Sequence, residues 1–347
     1  MAPADDRSRT GREQEHRTAF GLALSIDPRI SIPGIAHRHN STSTREPSVI
    51  RLSSGRELER RWDRLATPPA RTRELRLDGD LVLTVDFAEP AGYLLWAKEF
   101  ARVLISPDGM ELLCDPDPAN DDWASILSAQ ALPLAATIRG LEVMHASGVV
   151  LGGRALLFTG PPGAGKSSLA AAFVRAGAQL LSDDAVALQL REGALTAHVG
   201  SAVLQLRGTE DERLSEEART ALGRQVRSPW GKQRYESAHA PDSAPLAGLF
   251  LLARSADGPA LEQLPAVNPF ELIGSTFNLS VRTPARLQRQ LDVVSAIAAG
   301  GLAHRLRVQP HVDATQLAAT VRERFASDRV DAVALAVDPD IQHALEL

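Results

Sequence analysis

The run GPPGAGKSS at Gly160–Ser168 constrains this chain more than any other stretch, because it fits the template G-x-x-x-x-G-K-[ST] between a strand-like and a helix-like segment. Arg154–Phe158 (RALLF) reads as a short buried strand, and Ser167–Arg175 (SSLAAAFVR) as a helix of good formers closed by Gly177. The chain must therefore turn sharply between the two. Gly160, Gly163 and Gly165 let the backbone curl so that successive N–H groups converge on phosphate oxygens, with the positive end of the helix behind them. Gly160, Pro161, Pro162, Gly163, Ala164, Gly165, Lys166, Ser167 and Ser168 are thus candidate nucleotide contacts. Lys166 is placed to reach the β- and γ-phosphates, and the Ser167 hydroxyl to ligate Mg²⁺.

Two flanking features extend this site. Upstream, Leu141–Leu151 and Arg154–Thr159 are apolar runs separated by Gly152–Gly153, a two-residue hairpin signal. If Leu151 pairs with Arg154, counting back sets His145 opposite Gly160. Downstream, Ala178–Ser182 (AQLLS) reads as a strand that delivers Asp183 and Asp184 at its end. A right-handed strand–helix–strand unit puts the second strand near the first and parallel to it. Both carboxylates then emerge on the edge that carries the loop, where Mg²⁺ needs hard oxygen ligands.

The choice of cations adds a further signal. Of 38 Lys plus Arg, only Lys98, Lys166 and Lys232 are lysine. In a chain that otherwise selects arginine, a lysine in the phosphate loop marks a need for a compact ammonium. Lys232, in Ser228–Tyr235 (SPWGKQRY) beside Arg234 and Trp230, becomes a candidate for the same phosphates, as does Arg234; drift on a solvated loop is the other reading of Lys232, and for Lys98 it is the preferred one.

The rest of the composition mainly excludes. A net charge of −5 gives no electrostatic support to a nucleic-acid partner. The single cysteine, Cys114, excludes an internal disulfide and fits a reducing cytoplasm. Apolar stretches such as Val293–Leu302 are short and broken, so neither a membrane span nor a secretory signal is read. A length of 347 residues leads us to expect two domains: a disordered leader over residues 1–17, a small strand-rich domain over 18–123, a P-loop domain over 124–330 and a tail over 331–347. In the first domain Ala19–Ile35, Leu77–Val85, Gly92–Leu95 and Ala101–Leu113 read as short strands, and Ser41–Leu75 as a solvated, partly flexible connection. In the second, Trp123–Gly140 has helical spacing and Ala185–Gly200 reads as a strand pair turning at Arg191–Gly193. Leu246–Leu252 reads as a buried strand; Leu287–Ala299 and Ala314–Phe325 read as closing helices, the latter capped by Asp313.

Four short matches carry a family resemblance: His145-Ala146, GPPGAGKS, Ala176-Gly177 and Ser182-Asp183-Asp184. Over about residues 141–190 the chain resembles the catalytic domain of bacterial HPr kinase/phosphorylase. Phe20-Gly21-Leu22, Pro33-Gly34 and the hairpin HASGVVLGGRAL (145–156) look like the broader group of kinase-related proteins with this domain, some of which accompany ribosomal-peptide clusters such as lasso peptides. The resemblance implies an α/β, phosphoenolpyruvate-carboxykinase-like P-loop kinase domain using ATP and Mg²⁺. It also implies that Asp183 is the general base toward an acceptor serine and that His145 neighbours that Asp; Asp184, at the strand end beside the loop, is read as joining Ser167 on the metal. Two departures stand out. The family has Ser-Glu after the loop lysine, where this chain has Ser167-Ser168, and its later run L-E-x-R-G-x-G-I, tied to phosphorolysis, is replaced by SAVLQLRG (201–208). Phosphorolysis is therefore not expected, and the resemblance does not single out HPr as the acceptor.

Three functions remain open at this stage: a kinase of a serine on a small protein or peptide, a small-molecule kinase of the carboxykinase-like fold, and a non-catalytic nucleotide-dependent binding module. Intact Lys166, Ser167, Asp183 and Asp184 count against the last. Trp230 and Tyr235 beside the basic pair favour a peptide, since aromatic anchors suit one. No N-K-x-D motif supports a GTPase. No membrane partner is expected, and a homo-oligomer is compatible with all three.

Overall fold

Short alternating strands of the N-terminal part pair into one eight-stranded sheet. Its members are β1 (Arg17–Ala19), β2 (Leu22–Ile26), β3 (Ser48–Leu52), β4 (Ala70–Leu77), β5 (Asp80–Ala88), β6 (Gly92–Ala97), β7 (Ala101–Ile105) and β8 (Glu111–Pro116), in the order β1-β2-β3-β8-β7-β6-β5-β4. The computed structural model describes residues 17–35, 46–63, 68–226, 232–255, 260–264, 267–277, 279–309 and 313–335. The leader expected before β1 lies outside the described residues except for Arg17, as do residues 336–347 of the expected tail.

The connection expected over Ser41–Leu75 is instead ordered structure where it is described: β3, helix α1 (Gly55–Trp62) and most of β4. Helix α1 (GRELERRW) buries only Leu58, and its Ser54 cap accepts a hydrogen bond from Glu57 N at 3.3 Å. Such a charge-dense helix has the composition of a solvated loop; the cap and cross-element pairs such as Arg102–Glu59, 3.1 Å, distinguish it. Strand β4 (ARTRELRL) hides for the same reason, since it is the sheet's edge and mostly exposed. The strand expected over Leu77–Val85 is divided by a turn at Asp78–Gly79, where both residues have positive φ.

The second sheet builds the site. Its strands are β9 (Glu142–Met144), β10 (Ala146–Leu151), β11 (Arg154–Thr159), β12 (Gln179–Ser182), β13 (Val186–Arg191), β14 (Ala194–His198), β18 (Ser243–Arg254), β19 (Ala260–Gln263) and β20 (Ala303–Val308). The order is β12-β10-β11-β18-β14-β13-β9, with β20 joining β18 and β19 joining β20. The mixed α/β arrangement follows from β11, whose residues Ala155–Phe158 are all buried. Leu156 and Phe158 pack with α3 (Lys166–Arg175) and α8 (Ala314–Leu335) on one face, while Ala155 and Leu157 pack with α7 (Pro284–Ala299) on the other. Phe158 lies 5.3 Å from Phe173 of α3, centroid to centroid. A strand covered on both faces must be apolar throughout, which is why RALLF was legible.

Helical spacing over Trp123–Gly140 becomes a π-helical turn at Leu127–Ala131 followed by α2 (Leu132–Ile138). Their apolar side chains share one core with both sheets: Ile50, Val85 and Leu112 from the first sheet meet Leu127, Leu132, Val143 and Ala187. Cys114, fully buried in that core, has its thiol pushed up to about 12 by burial and is no nucleophile. A small third sheet, β15 (Val203–Arg207), β17 (Lys232–Glu236) and β16 (Arg224–Val226), borders the loop region; α4 (Gly208–Asp211) and α5 (Glu216–Leu222) link β15 to β16. Helix α6 (Pro269–Ile273) precedes the segment that closes the site from the far side. No helix among the described residues is long and apolar enough to cross a membrane.

Candidate functional site: a phosphate loop facing a basic far wall

The loop between β11 and α3 is shaped by its glycines. Gly160, Gly163 and Gly165 have φ of 150°, 78° and 99°, and a Cβ on Gly160 would come within 2.8 Å of the Leu252 carbonyl oxygen. Lys166 opens α3 with its ammonium folded over the loop, donating to the Gly160 carbonyl at 3.0 Å and the Pro161 carbonyl at 3.5 Å. Burial lowers the lysine's pKa, opposed by the nearby Asp184 and Asp183. Ala164 packs into the core, and Arg254 ties the loop by donating to the Gly163 carbonyl at 2.8 Å.

The hairpin places His145 as counted. Gly152 and Gly153 both have positive φ, Leu151 pairs with Arg154, and Ala146 pairs with Thr159, so His145 stands one step before the ladder at the level of Gly160. The single strand expected over Leu141–Leu151 is broken at this residue, because β9 pairs with β13 while β10 pairs with β11 and β12. The His145 N–H leaves the ladder for the Ser275 carbonyl at 2.5 Å. Its Nδ1 lies 3.0 Å from the Asp184 carbonyl oxygen, which can only accept, so Nδ1 carries the hydrogen and Nε2 of the neutral ring keeps a lone pair. Burial, then the charge of Lys166, lowers the imidazole's pKa and favours that neutral form. The contact to the acid pair is thus to the backbone of Asp184; the side chain of Asp183 is engaged elsewhere.

Strand β12 runs antiparallel to β10, and β10 antiparallel to β11, so β12 is parallel to β11 with β10 inserted between them. Asp183 at its end is 8% exposed and accepts from four donors. Oδ1 takes Ser147 Oγ at 2.5 Å, Ser167 Oγ at 3.0 Å and Asp184 N at 3.1 Å, and Oδ2 takes Gln205 N at 3.0 Å. Burial and the adjacent Asp184 nevertheless push its pKa up to about 6. Asp184 adopts φ 67° and lines the cavity. That left-handed kink is tolerated by Asp better than by most residues and sits beside the phosphate loop.

The loop, His145 and Asp184 open onto one cavity of about 600 Å³, within the range of small-molecule sites. Pro162, Gly163, Gly165, Lys166, Ser167, Ser168, His145, Asp184 and Lys232 line it. Gly160, Pro161, Ala164 and Asp183 do not, nor does Arg234, which is 6% exposed and paired at 2.7 Å with Asp122, because two residues along β17 carry it roughly 7 Å past Lys232. Tyr235, expected as an aromatic anchor, is buried with its hydroxyl on Asp211 at 2.5 Å, and Trp230 lies outside the described residues. Several lining groups are not indicated by the sequence motifs, Arg207, Arg73 and Phe277 among them. Arg207 ends β15 with its guanidinium over Gly163, whose added Cβ would meet Nη2 at 2.8 Å. Arg73 of β4 and Phe277 of the segment after α6 come from distant parts of the chain. Arg207 is the seventh residue of the run SAVLQLRG (201–208), where the chain departs from the family's pattern.

The residues fit ATP and Mg²⁺. Lys166 is held by loop carbonyls at the mouth of the cradle, and Ser167, hydrogen-bonded to Asp183, lies where a metal bound to phosphates would need an oxygen. Among the described residues no cluster of three or more His, Cys, Asp or Glu could hold a metal alone. Mg²⁺ characteristically uses one or two protein groups together with substrate phosphates and water.

No protein-family model matches the chain, and no curated protein matches it. Among solved structures it is similar to the Hpr(Ser) kinase/phosphatase from Coxiella burnetii, at 13% identity and a TM-score of 0.29, over 55% of this chain and 98% of that one. That likeness is too remote to transfer any residue's role. The functional reading therefore rests on the site itself.

Proposed function

We propose that this protein is an ATP-dependent, Mg²⁺-requiring kinase that transfers a phosphoryl group to a serine hydroxyl of a small protein or peptide. The observation that carries the proposal is the hydrogen bond from Ser167 to Asp183, which joins the phosphate loop to the acidic strand end beside Lys166. Mg²⁺, when bound, would neutralise charge on the β- and γ-phosphates. Lys166 supplies a second positive charge at the loop, and Arg207 over Gly163 and Lys232 on the cavity lining add to it.

The burial of the two acids favours a division of labour opposite to the one the family resemblance implies. Asp183, with both oxygens committed, positions Ser167; Asp184, on the cavity lining, is the better-placed acceptor of the serine's proton. His145 orients Asp184 through its carbonyl. A peptide acceptor suits the site because β4, an exposed edge strand, forms part of the cavity wall and leaves the rim open to a chain.

The test is phosphoryl transfer from labelled ATP to serine peptides and to free serine, beside nucleotide binding with and without Mg²⁺. Asp184→Asn should keep nucleotide and lose transfer, while Asp183→Asn should weaken binding in Mg²⁺ by freeing Ser167. The reverse pattern would restore Asp183 as the base. Transfer to free serine but to no peptide would make the acceptor a small molecule, and binding without transfer would leave only a nucleotide-dependent binding module.

A further inference from the structure

Arg73 has a charge that no described residue matches. Strand β4 carries three arginines. Arg71 pairs with Asp86 at 2.5 Å and with Glu74 at 3.2 Å, and Arg76 pairs with Glu74 at 2.7 Å. Arg73, half-buried against the cavity, has no carboxylate partner among the described residues. One of its nitrogens, Nη1, donates to Gln130 Oε1 at 2.7 Å, and its Cζ lies 5.7 Å from the centroid of the Phe277 ring. A neutral amide and an aromatic ring fix the guanidinium without neutralising it. Burying a cation in this way is costly unless an anion arrives, and burial lowers its pKa accordingly.

Arg73 reaches the cavity from a strand of the first sheet, whereas the loop belongs to the second. Phe277 also faces the His145 ring, 6.3 Å between centroids. His145 feels the charges of both Lys166 and Arg73. Arg73 thus stands on the Phe277 side of His145, on a part of the cavity wall separate from the loop that carries Lys166. The loop side already has Lys166, Arg207 and Lys232 for a nucleotide's charge.

We propose that Arg73 is a specificity-determining residue that binds a carboxylate carried by the acceptor next to the hydroxyl to be phosphorylated. The planar fork of a guanidinium matches a carboxylate through two parallel hydrogen bonds, and Gln130 and Phe277 hold that fork in place before the acceptor arrives. Leu75, on the same face of β4, 39% exposed and also lining the cavity, offers an apolar contact one step along the acceptor. The carboxylate can come from an acidic side chain beside the serine or from a chain terminus. Either source presents the same chemistry to Arg73.

This inference rests on the kinase reading, and the experiment separates the two. Matched peptides with one serine are compared: Glu or Gln beside it, and a C-terminal serine with a free or an amidated carboxyl. Wild-type protein should prefer a carboxylate-bearing peptide by roughly 10- to 100-fold in kcat/KM, the worth of a hydrogen bond between charged groups. Which pair shows the preference identifies the source. Arg73→Gln should abolish it through KM, Arg73→Lys should restore part of it, and both variants should bind a fluorescent ATP analogue and melt as the wild type does. A wild-type preference that is absent, or one that survives in Arg73→Gln, overturns the proposal; so does loss of nucleotide binding in that variant, which would make Arg73 a phosphate ligand. Calorimetric titration of the same peptides needs no turnover. Tighter binding of the carboxylate peptide to wild type than to Arg73→Gln, with no transfer, would sink the kinase reading and keep the anion site, whereas equal binding would sink the anion site.

Discussion

The two walls of the cavity are built by different means. The loop wall comes from one continuous stretch, Gly160–Ser168, whose shape is imposed by backbone: three glycines at positive φ and a lysine folded onto the loop's own carbonyls. The far wall is assembled from side chains delivered by separate segments, with Arg73 on β4, Gln130 in the π-helical turn and Phe277 after α6. A wall made of backbone changes only as a unit. One made of side chains can be altered residue by residue, and on the proposed kinase reading this is where selectivity for an acceptor would vary while the chemistry at the loop stays the same.

The contrast is open to direct attack. The largest effect should come from Lys166→Ala, which removes a preorganised charge and should lower transfer on the order of 10²–10³-fold with the fold intact. Steady-state rates beside a melting curve check it, and unchanged turnover would refute the assignment of the loop. Gly160→Ala tests whether backbone shape is what matters: its Cβ would press on the Leu252 carbonyl at a φ of 150°, so nucleotide affinity should fall roughly 10-fold or more without loss of any side-chain contact. Arg234→Ala addresses the residue that sequence placed at the phosphates and structure places on Asp122. Its loss should lower stability by about 1–3 kcal/mol in denaturant titration and leave ATP affinity unaltered. The smallest effect belongs to the far wall, where Gln130→Ala should loosen Arg73 and raise the acceptor's KM only by roughly 5-fold. An equal fall in nucleotide affinity would break the distinction between the walls.

What could be read without coordinates was the part governed by short-range rules. The Gly152–Gly153 turn has a nearly obligatory geometry, so the register Leu151–Arg154 and the level of His145 followed from counting. The buried strand before the loop and the helix after it were legible because their periodicities are unambiguous. Segment Ser41–Leu75 was not, since α1 and β4 owe their order to Leu58, a cap and ion pairs to other elements, none of which leaves an apolar pattern. Arg234 and Tyr235 show the limit from the other side. Each stands close to Lys232 in sequence, yet a strand advances about 3.3 Å per residue, enough to take them out of the cavity and into buried pairs with Asp122 and Asp211.

The sequence by itself therefore determined the glycine-shaped loop at Gly160–Gly165, its flanking strand and helix, and the arrival of two acids at its edge, because turns and ladders are local and nearly deterministic. Only the tertiary structure decided which acid faces the cavity, which cations line it, and that β4, at the far edge of another sheet, supplies Arg73. Those outcomes depend on side chains meeting across long stretches of chain. Such meetings are fixed by how sheets and helices share a core, and the order of residues along the chain does not record them.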